Sequence, residues 1–309
     1  MSLRLTILGC HSATPRSLAH PSAQYLEING EHLLIDCAEG TQMQLRKFGV
    51  KFSRIRHIFI SHLHGDHFFG LIGLISTFSL LNRQNELHIY GPKGLKEIIQ
   101  LQLKLSKSWI DYPLHFHELD SKESELIMEN DKIEVRTIPL RHRIYTNGFL
   151  FREKPAPRKL NMEVISKHQD IEICDYQNLK DGKDFTDSHG KVLTNEELTT
   201  EPPSPLSYAY CSDTTYSESV AKLIMGTDLL YHESTFLEQH VELAETTRHS
   251  TAAQAAKIAS MAKVKRLILG HFSSRYKDVN LFLQEAQKHF ANCDLCEAGK
   301  VFELDNRHV

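Results

Sequence analysis

The sequence has no long apolar run. Hydrophobic residues make 41% of its 309 positions, yet no stretch approaches the roughly 20 consecutive apolar residues of a membrane-spanning helix. No membrane partner is therefore expected. Cysteine is sparse as well: Cys10, Cys37, Cys174, Cys211, Cys293 and Cys296 are scattered without the density of a disulfide scaffold, which fits free thiols in a reducing compartment. Cys293 and Cys296 form a C-x-x-C, but no second pair lies nearby to complete a structural zinc site. Charge of one sign is lacking too. The net charge of -3 excludes a nucleic-acid binder that works through its whole-molecule field, and leaves any such partner to a local patch. No basic leader precedes the strand-like run at residues 3–8, and the chain reads as cytoplasmic. Short repeats and low-complexity tracts are absent.

What is present is a layered α/β pattern. Apolar strand-like segments at residues 3–8, 32–37, 55–60 and 86–90 alternate with helix-like stretches at 41–48, 68–80 and 94–106. Strands then crowd together at 114–118, 124–128 and 132–139, so the first half reads as a mixed, partly antiparallel sheet. From 151 to 205 the hydrophobic rhythm weakens, and Pro155, Pro157, Pro202, Pro203 and Pro205 punctuate a charged stretch that reads as an insertion. Strands at 206–212, 228–232 and 266–269 and helices at 216–225, 250–262 and 280–290 then mirror the first half.

The run Ile58-Phe-Ile-Ser-His62-Leu-His64-Gly65-Asp66-His67 places three histidines and an aspartate just past an apolar strand, before the helix at Phe68. Imidazole nitrogen suits a borderline ion such as zinc, and a carboxylate oxygen extends the cluster to a second ion. Four ligands in six residues exceed what one tetrahedral ion with a water uses, which favours two metals once partners are found. His142, Asp213 and His271 each follow an apolar strand, where α/β layers collect functional loops. Asp36 and Glu39-Gly40-Thr41-Gln42 read as support beneath the metal loop, or as a helix start.

This H-x-H-x-D-H, with its later His, Asp and His, is similar to the metallo-β-lactamase superfamily. Further stretches resemble its ribonuclease Z family, the tRNA 3′ processing endonucleases. They are Leu5-Thr-Ile-Leu-Gly9, Ile35-Asp-Cys-Ala-Glu39-Gly40-Thr41-Gln42, Tyr90-Gly-Pro-Lys-Gly94, Cys211-Ser-Asp213-Thr214, His232-Glu233-Ser-Thr235, His249-Ser-Thr-Ala-Ala-Gln254 and Gly270-His271-Phe-Ser-Ser-Arg275-Tyr276. The resemblance implies an αβ/βα sandwich of two mixed sheets with helices outside, as a single domain over residues 1–309. An inserted flexible arm at 151–205 would grip tRNA. It further implies two Zn2+ per subunit, a homodimer and precursor tRNA as substrate. His62, His64 and His142 would hold one zinc, Asp66, His67 and His271 the other, and Asp213 would bridge them.

Two stretches depart from the family. Its early P-x-K-x-R-N loop here reads Thr14-Pro15-Arg16-Ser17-Leu18-Ala19-His20, and its Gly-Pro-rich arm tip is replaced by residues 173–182. The insertion holds 8 Lys and Arg against 11 Asp and Glu. Its basic content centres on Arg152, Lys154, Arg158 and Lys159, with Lys180 and Lys183 near the tip. In the implied mechanism Asp66 orients the attacking water, and His249, ordered by Glu233, serves the leaving oxygen. Arg275 and Tyr276, with Lys154, Arg158 and Lys159, are candidate RNA contacts. Two other readings share these residues: a small-molecule hydrolase acting on a phosphodiester, thioester or lactone, and a non-catalytic zinc-containing RNA-binding scaffold. A polar insertion of about 50 residues argues against the first. Ligand sets that leave positions open argue against the second, because structural zinc sites are closed.

Overall fold

Burial along the first strand alternates with the pleat. In β1 (Ser2–Gly9), Leu3, Leu5 and Ile7 join one apolar cluster and Leu8 another, as in a strand covered on both faces. The structure, a computed structural model, describes residues 2–14 and 19–305. The chain continues through β2 (Ala23–Ile28), β3 (Glu31–Ile35), β4 (His57–Phe59), β5 (Leu87–Pro92), β6 (Leu114–Leu119), β7 (Leu126–Glu129), β8 (Ile133–Pro139) and β9 (Asn147–Glu153). Four two-residue strands follow: β10 (Lys159–Leu160), β11 (Phe185–Thr186), β12 (Val192–Leu193) and β13 (Thr199–Thr200). The last five are β14 (Ser207–Cys211), β15 (Leu229–Glu233), β16 (Arg266–Gly270), β17 (Cys293–Leu295) and β18 (Val301–Asp305).

Two seven-stranded sheets form, ordered β18-β1-β2-β3-β4-β5-β6 and β17-β16-β15-β14-β9-β8-β7. Both are mixed: β3 to β6 and β14 to β17 run parallel, while the remaining neighbours are antiparallel. Leu5, Ile7 and Phe59 of the first sheet share one cluster with Phe149, Phe151, Tyr208 and Tyr210 of the second. The ring of Phe59 lies 5.4 Å from Phe149 and 5.3 Å from Phe151. Helices Leu71–Leu80 and Leu95–Leu105 cover the other face of the first sheet through Leu71, Leu74, Phe78, Leu95 and Ile99. Helix Ala252–Met261 packs its alanine-rich face on β15 and β16. This is the expected αβ/βα sandwich.

Strand direction positions the site. Since β8 is antiparallel to β9, and β9 to β14, the strands β8, β14, β15 and β16 all point the same way. The loops that follow them therefore emerge at one end of the sheet.

Three readings of the sequence are corrected. Strands β7 and β8 belong with the second half, because β8 and β9 form a hairpin that joins β14. The helix expected at 68–80 is split into Gly65–Phe68 and Leu71–Leu80, since the Gly70 N–H leaves the helical ladder and donates to the Cys37 carbonyl at 2.9 Å. The insertion begins later than residue 151, because Phe151 and Arg152 pair with β14. The compact unit is Lys154–Pro205. It carries its own small cluster of Ile165, Ile171, Leu179, Leu193 and Leu198, and Asn195 ties it by donating to the Leu179 and Lys183 carbonyls.

Candidate metal centre

The chain leaves β4 at Phe59 and turns through Ser61 to His67 into helix Gly65–Phe68. Gly65 sits where a side chain would collide with the Phe69 ring. The turn carries His62 and His67, both fully buried, to the edge where the loops after β8, β14 and β16 bring His142, Asp213 and His271.

Two groups result, and Asp213 belongs to both. Around its Oδ2 stand His62 Nε2 at 3.6 Å and His142 Nε2 at 3.9 Å. His64 Nδ1 lies 3.0 Å from His62 Nε2 and 3.3 Å from His142 Nε2. Around Oδ1 stand His67 Nε2 at 3.4 Å and His271 Nε2 at 3.3 Å, each also 3.5 Å from Asp66 Oδ2. Ligands about 2.0–2.1 Å from a tetrahedral zinc are themselves about 3.3 Å apart. The separations are thus those of coordination-polyhedron edges.

Three of these atoms, His67 Nε2, Asp213 Oδ1 and His271 Nε2, are buried without a hydrogen-bond partner. Buried polar atoms are rarely left so, and a shared cation satisfies all three. Protonation favours ligand forms as well. Burial lowers His62, His64 and His142, keeping lone pairs available. Burial alone would raise Asp66 and Asp213, but His67 and His271 beside them hold both carboxylates well down. His67 goes the other way: burial opposes its charge, yet Asp213, Asp66 and Asp36 together drive it upward, so a cation must compete with a proton there.

Each ring is oriented through its other nitrogen where the structure gives a partner. His67 Nδ1 meets Asp36 Oδ2 at 2.7 Å, His271 Nδ1 meets the Thr235 hydroxyl at 2.8 Å, and His142 Nδ1 meets the Arg248 carbonyl at 2.8 Å. Asp36 also accepts from Ser61 N, Ser61 Oγ and the Tyr210 hydroxyl. Such partners fix tautomer and aim. Asp36, Arg248 and His271 all adopt positive φ, at 53°, 59° and 61°, a conformation uncommon for non-glycine residues. Glu39, in contrast, is exposed, and Gln42 accepts from Thr77 instead. Of the proposed support beneath the metal loop, Asp36 supplies it and these two do not.

Glu233 ends β15 fully buried, not at a helix N-terminus. It accepts from Thr214 N, Thr235 N, Thr235 Oγ1 and Ser250 N. Its Oε1 lies 2.9 Å from His249 Nδ1. Burial works against a charged His249, but Glu233 overcomes it and holds the imidazole up at about 9. His249 also stands 4.0 Å from Asp213 Oδ2 and lines the pocket over the cluster with His64, Asp66, Arg143 and His271.

Beside His142 opens a groove of about 970 Å³, lined among others by Lys122, Arg141, Arg143 and Arg248 against one acidic residue, Glu245. All four cations are exposed, and among the described residues none makes an ion pair. They were not anticipated from the sequence, where the only signal is that Arg141 and Arg143 flank His142.

Other candidates fall elsewhere. The Tyr276 hydroxyl accepts from Leu237 N and meets His240 Nδ1 at 2.7 Å, on a ring that is 7% exposed. It braces the fold, which corrects its reading as an RNA contact. Arg275 is exposed. Arg158 is tied to Thr199 at 2.7 Å and Glu201 at 3.2 Å within the insertion, beside an exposed Lys159, and Lys154 opens the same unit. In the early loop, residues 15–18 lie outside the described residues. Cys293 and Cys296 are buried free thiols.

The two mixed sheets and the clusters at their edge define a protein of the metallo-β-lactamase fold. Likeness to the metallo-β-lactamase fold protein YhfI from Bacillus subtilis supports this, with TM-score 0.68 and 17% identity over 98% of this chain and 100% of that one. A family model described as anti-Pycsar protein Apyc1 matches residues 3–155. More specific are a ribonuclease Z from Bacteroides fragilis, 45% identical over 97% of this chain and 98% of that one, and one from Cytophaga hutchinsonii, 46% identical over 99% and 98%. The solved human tRNase Z, short form, matches with TM-score 0.70 and 29% identity over 97% and 98% of the two chains. The chain belongs to the ribonuclease Z family.

Proposed function

We propose that the chain is a zinc-dependent endonuclease that removes the 3′ trailer from precursor tRNA, with two Zn2+ per subunit. The observation that carries this is the convergence of two histidine groups on the two oxygens of Asp213, and the family's name supplies the substrate class. His62, His64 and His142 with Asp213 would hold one ion, and Asp66, His67 and His271 with Asp213 the other. Bound there, the ions supply a water that is acidic near about pH 7 and positive charge against the phosphate oxygens.

The chain's own groups do the rest. Asp66, kept ionised between His67 and His271, orients the attacking water and takes its proton. His249 spends Nδ1 on Glu233, which leaves Nε2 to protonate the departing 3′ oxygen, so that the tRNA ends in a 3′-OH. Unpaired Lys122, Arg141, Arg143 and Arg248 suit the phosphates of the flanking strand. The unit at 154–205 would serve as a tRNA-binding exosite through Lys154, Lys159 and neighbouring lysines. Homodimeric assembly is what the family resemblance implies, and the scattered free cysteines suit a reducing, cytoplasmic compartment.

The test is cleavage of a 3′-extended pre-tRNA by zinc-loaded protein beside a small chromogenic phosphodiester. One endonucleolytic cut at the trailer junction, lost in Asp66→Ala, supports the reading. Turnover of the small diester alone would reject the tRNA assignment and favour a small-molecule phosphodiesterase.

A further inference from the structure

We propose that Glu86, His88 and His115 form a third transition-metal site, separate from the two at Asp213. The register of β4, β5 and β6 places His57 opposite His88 and His88 opposite His115. Their rings stack across three strands, with centroids 5.2 Å and 4.8 Å apart. A stack of imidazoles alone needs no carboxylate, yet Glu86, just before β5, splits its two oxygens between two rings. Oε1 lies 3.5 Å from His88 Nε2, and Oε2 lies 3.6 Å from His115 Nε2. One ligand atom from each of the three residues falls within 4.8 Å of the others, and the two contacts of Glu86 match the 3.3–3.9 Å separations around Asp213.

His117 completes the arrangement from outside. Its Nε2 sits 3.0 Å from His88 Nδ1. The tautomer in which His88 Nδ1–H donates to it turns a lone pair on Nε2 toward Glu86, as a neighbour does for a metal-binding imidazole. His57 Nδ1, behind the stack, is buried with no hydrogen-bond partner. Two imidazoles and a carboxylate select zinc or copper over magnesium or calcium, which take oxygen sets. Glu86 and His115 are about half exposed, so an ion can enter from solvent and water can fill its remaining positions. The site lies at the start of the parallel strands. His57 is five residues before His62, about 17 Å away at the strand rise, which places it outside the Asp213 centre. An ion there would pin β6, the sheet's edge strand, to the segment before β5.

The test uses the full chain without a histidine tag, stripped of metal and dialysed to equilibrium against Zn2+, with bound zinc measured by elemental analysis. Three equivalents are expected in the natural sequence, and two in both His115→Ala and Glu86→Ala. Both substitutions are at exposed positions and leave the fold intact, as circular dichroism checks. Zinc should also raise the thermal midpoint less in each variant. If either folded variant binds as much zinc as the natural sequence, the ladder is an aromatic stack and the proposal fails. Cleavage of pre-tRNA does not enter this readout, so its outcome is independent of the nuclease reading.

Discussion

Glu233 Oε1 lies 2.9 Å from His249 Nδ1, and this contact decides both the charge of the imidazole and which nitrogen can face a substrate. With the pKa held at about 9, the proton-donating form persists at neutral pH and is lost as pH rises through that value. Cations bound beside it oppose a positive ring and move the loss to lower pH. Activity on pre-tRNA should therefore fall along an alkaline limb at or below about 9. In Glu233→Gln the limb should move further toward acid, because the raising charge is gone. His249→Ala should lower kcat by about 10²- to 10⁴-fold. A limb that stays in place in Glu233→Gln would remove His249 from proton donation.

Asp36 is fully buried, and it holds His67 at 2.7 Å and receives Ser61 and Tyr210. Losing such an orienting partner weakens metal binding by about 10- to 100-fold. Asp36→Asn should show that loss when zinc is competed away with a calibrated chelator. Because His67 binds a proton strongly, zinc affinity should also fall as pH drops, more steeply in the natural sequence than in His67→Ala. Equal zinc affinity in Asp36→Asn and the natural sequence would make Asp36 a fold residue only.

The convergence of these histidines and aspartates was legible in the sequence because four of them fall within six residues and the rest each follow an apolar strand. Topology explains why strand ends sufficed: β8, β14, β15 and β16 deliver their loops to one edge. Arg248 carries no such signal. It reaches His142 across 106 positions of sequence, and a surface arginine looks the same with or without a groove beside it. Sheet membership was hidden for a similar reason. Strand β9 finds its partner β14 only beyond the insertion, and β18 returns from the far end of the chain to pair with β1. Tyr276 was misread because its neighbourhood in sequence is the metal loop, whereas its hydroxyl serves Leu237 and His240.

The groove beside His142 should act on long substrates. Arg141→Glu combined with Lys122→Glu replaces two of its four cations with charges that repel phosphate. The expected result is a higher KM for pre-tRNA with a smaller change in kcat. The salt dependence of RNA binding should become shallower, by about 0.7–0.9 in the log–log slope for each phosphate that the groove no longer neutralises. Binding isotherms at several salt concentrations check this, and an unchanged slope would place the RNA elsewhere.

Gly70 links fold to site. Its N–H donates to the Cys37 carbonyl at 2.9 Å, while Cys37 N donates to the His67 carbonyl at 2.7 Å, so the segment holding Asp36 is laced to the end of the metal loop. A Cβ at Gly70 would overlap the Ala38 carbonyl oxygen, and that neighbour is backbone, which cannot rotate away. Gly70→Ala must therefore push the two segments apart. Overpacking of this kind costs about 1–3 kcal/mol, to be measured by chemical denaturation. Because Asp36 and His67 ride on the displaced segments, zinc affinity should fall together with stability. If Gly70→Ala lost stability but kept full zinc affinity, the lacing would be a property of the core alone.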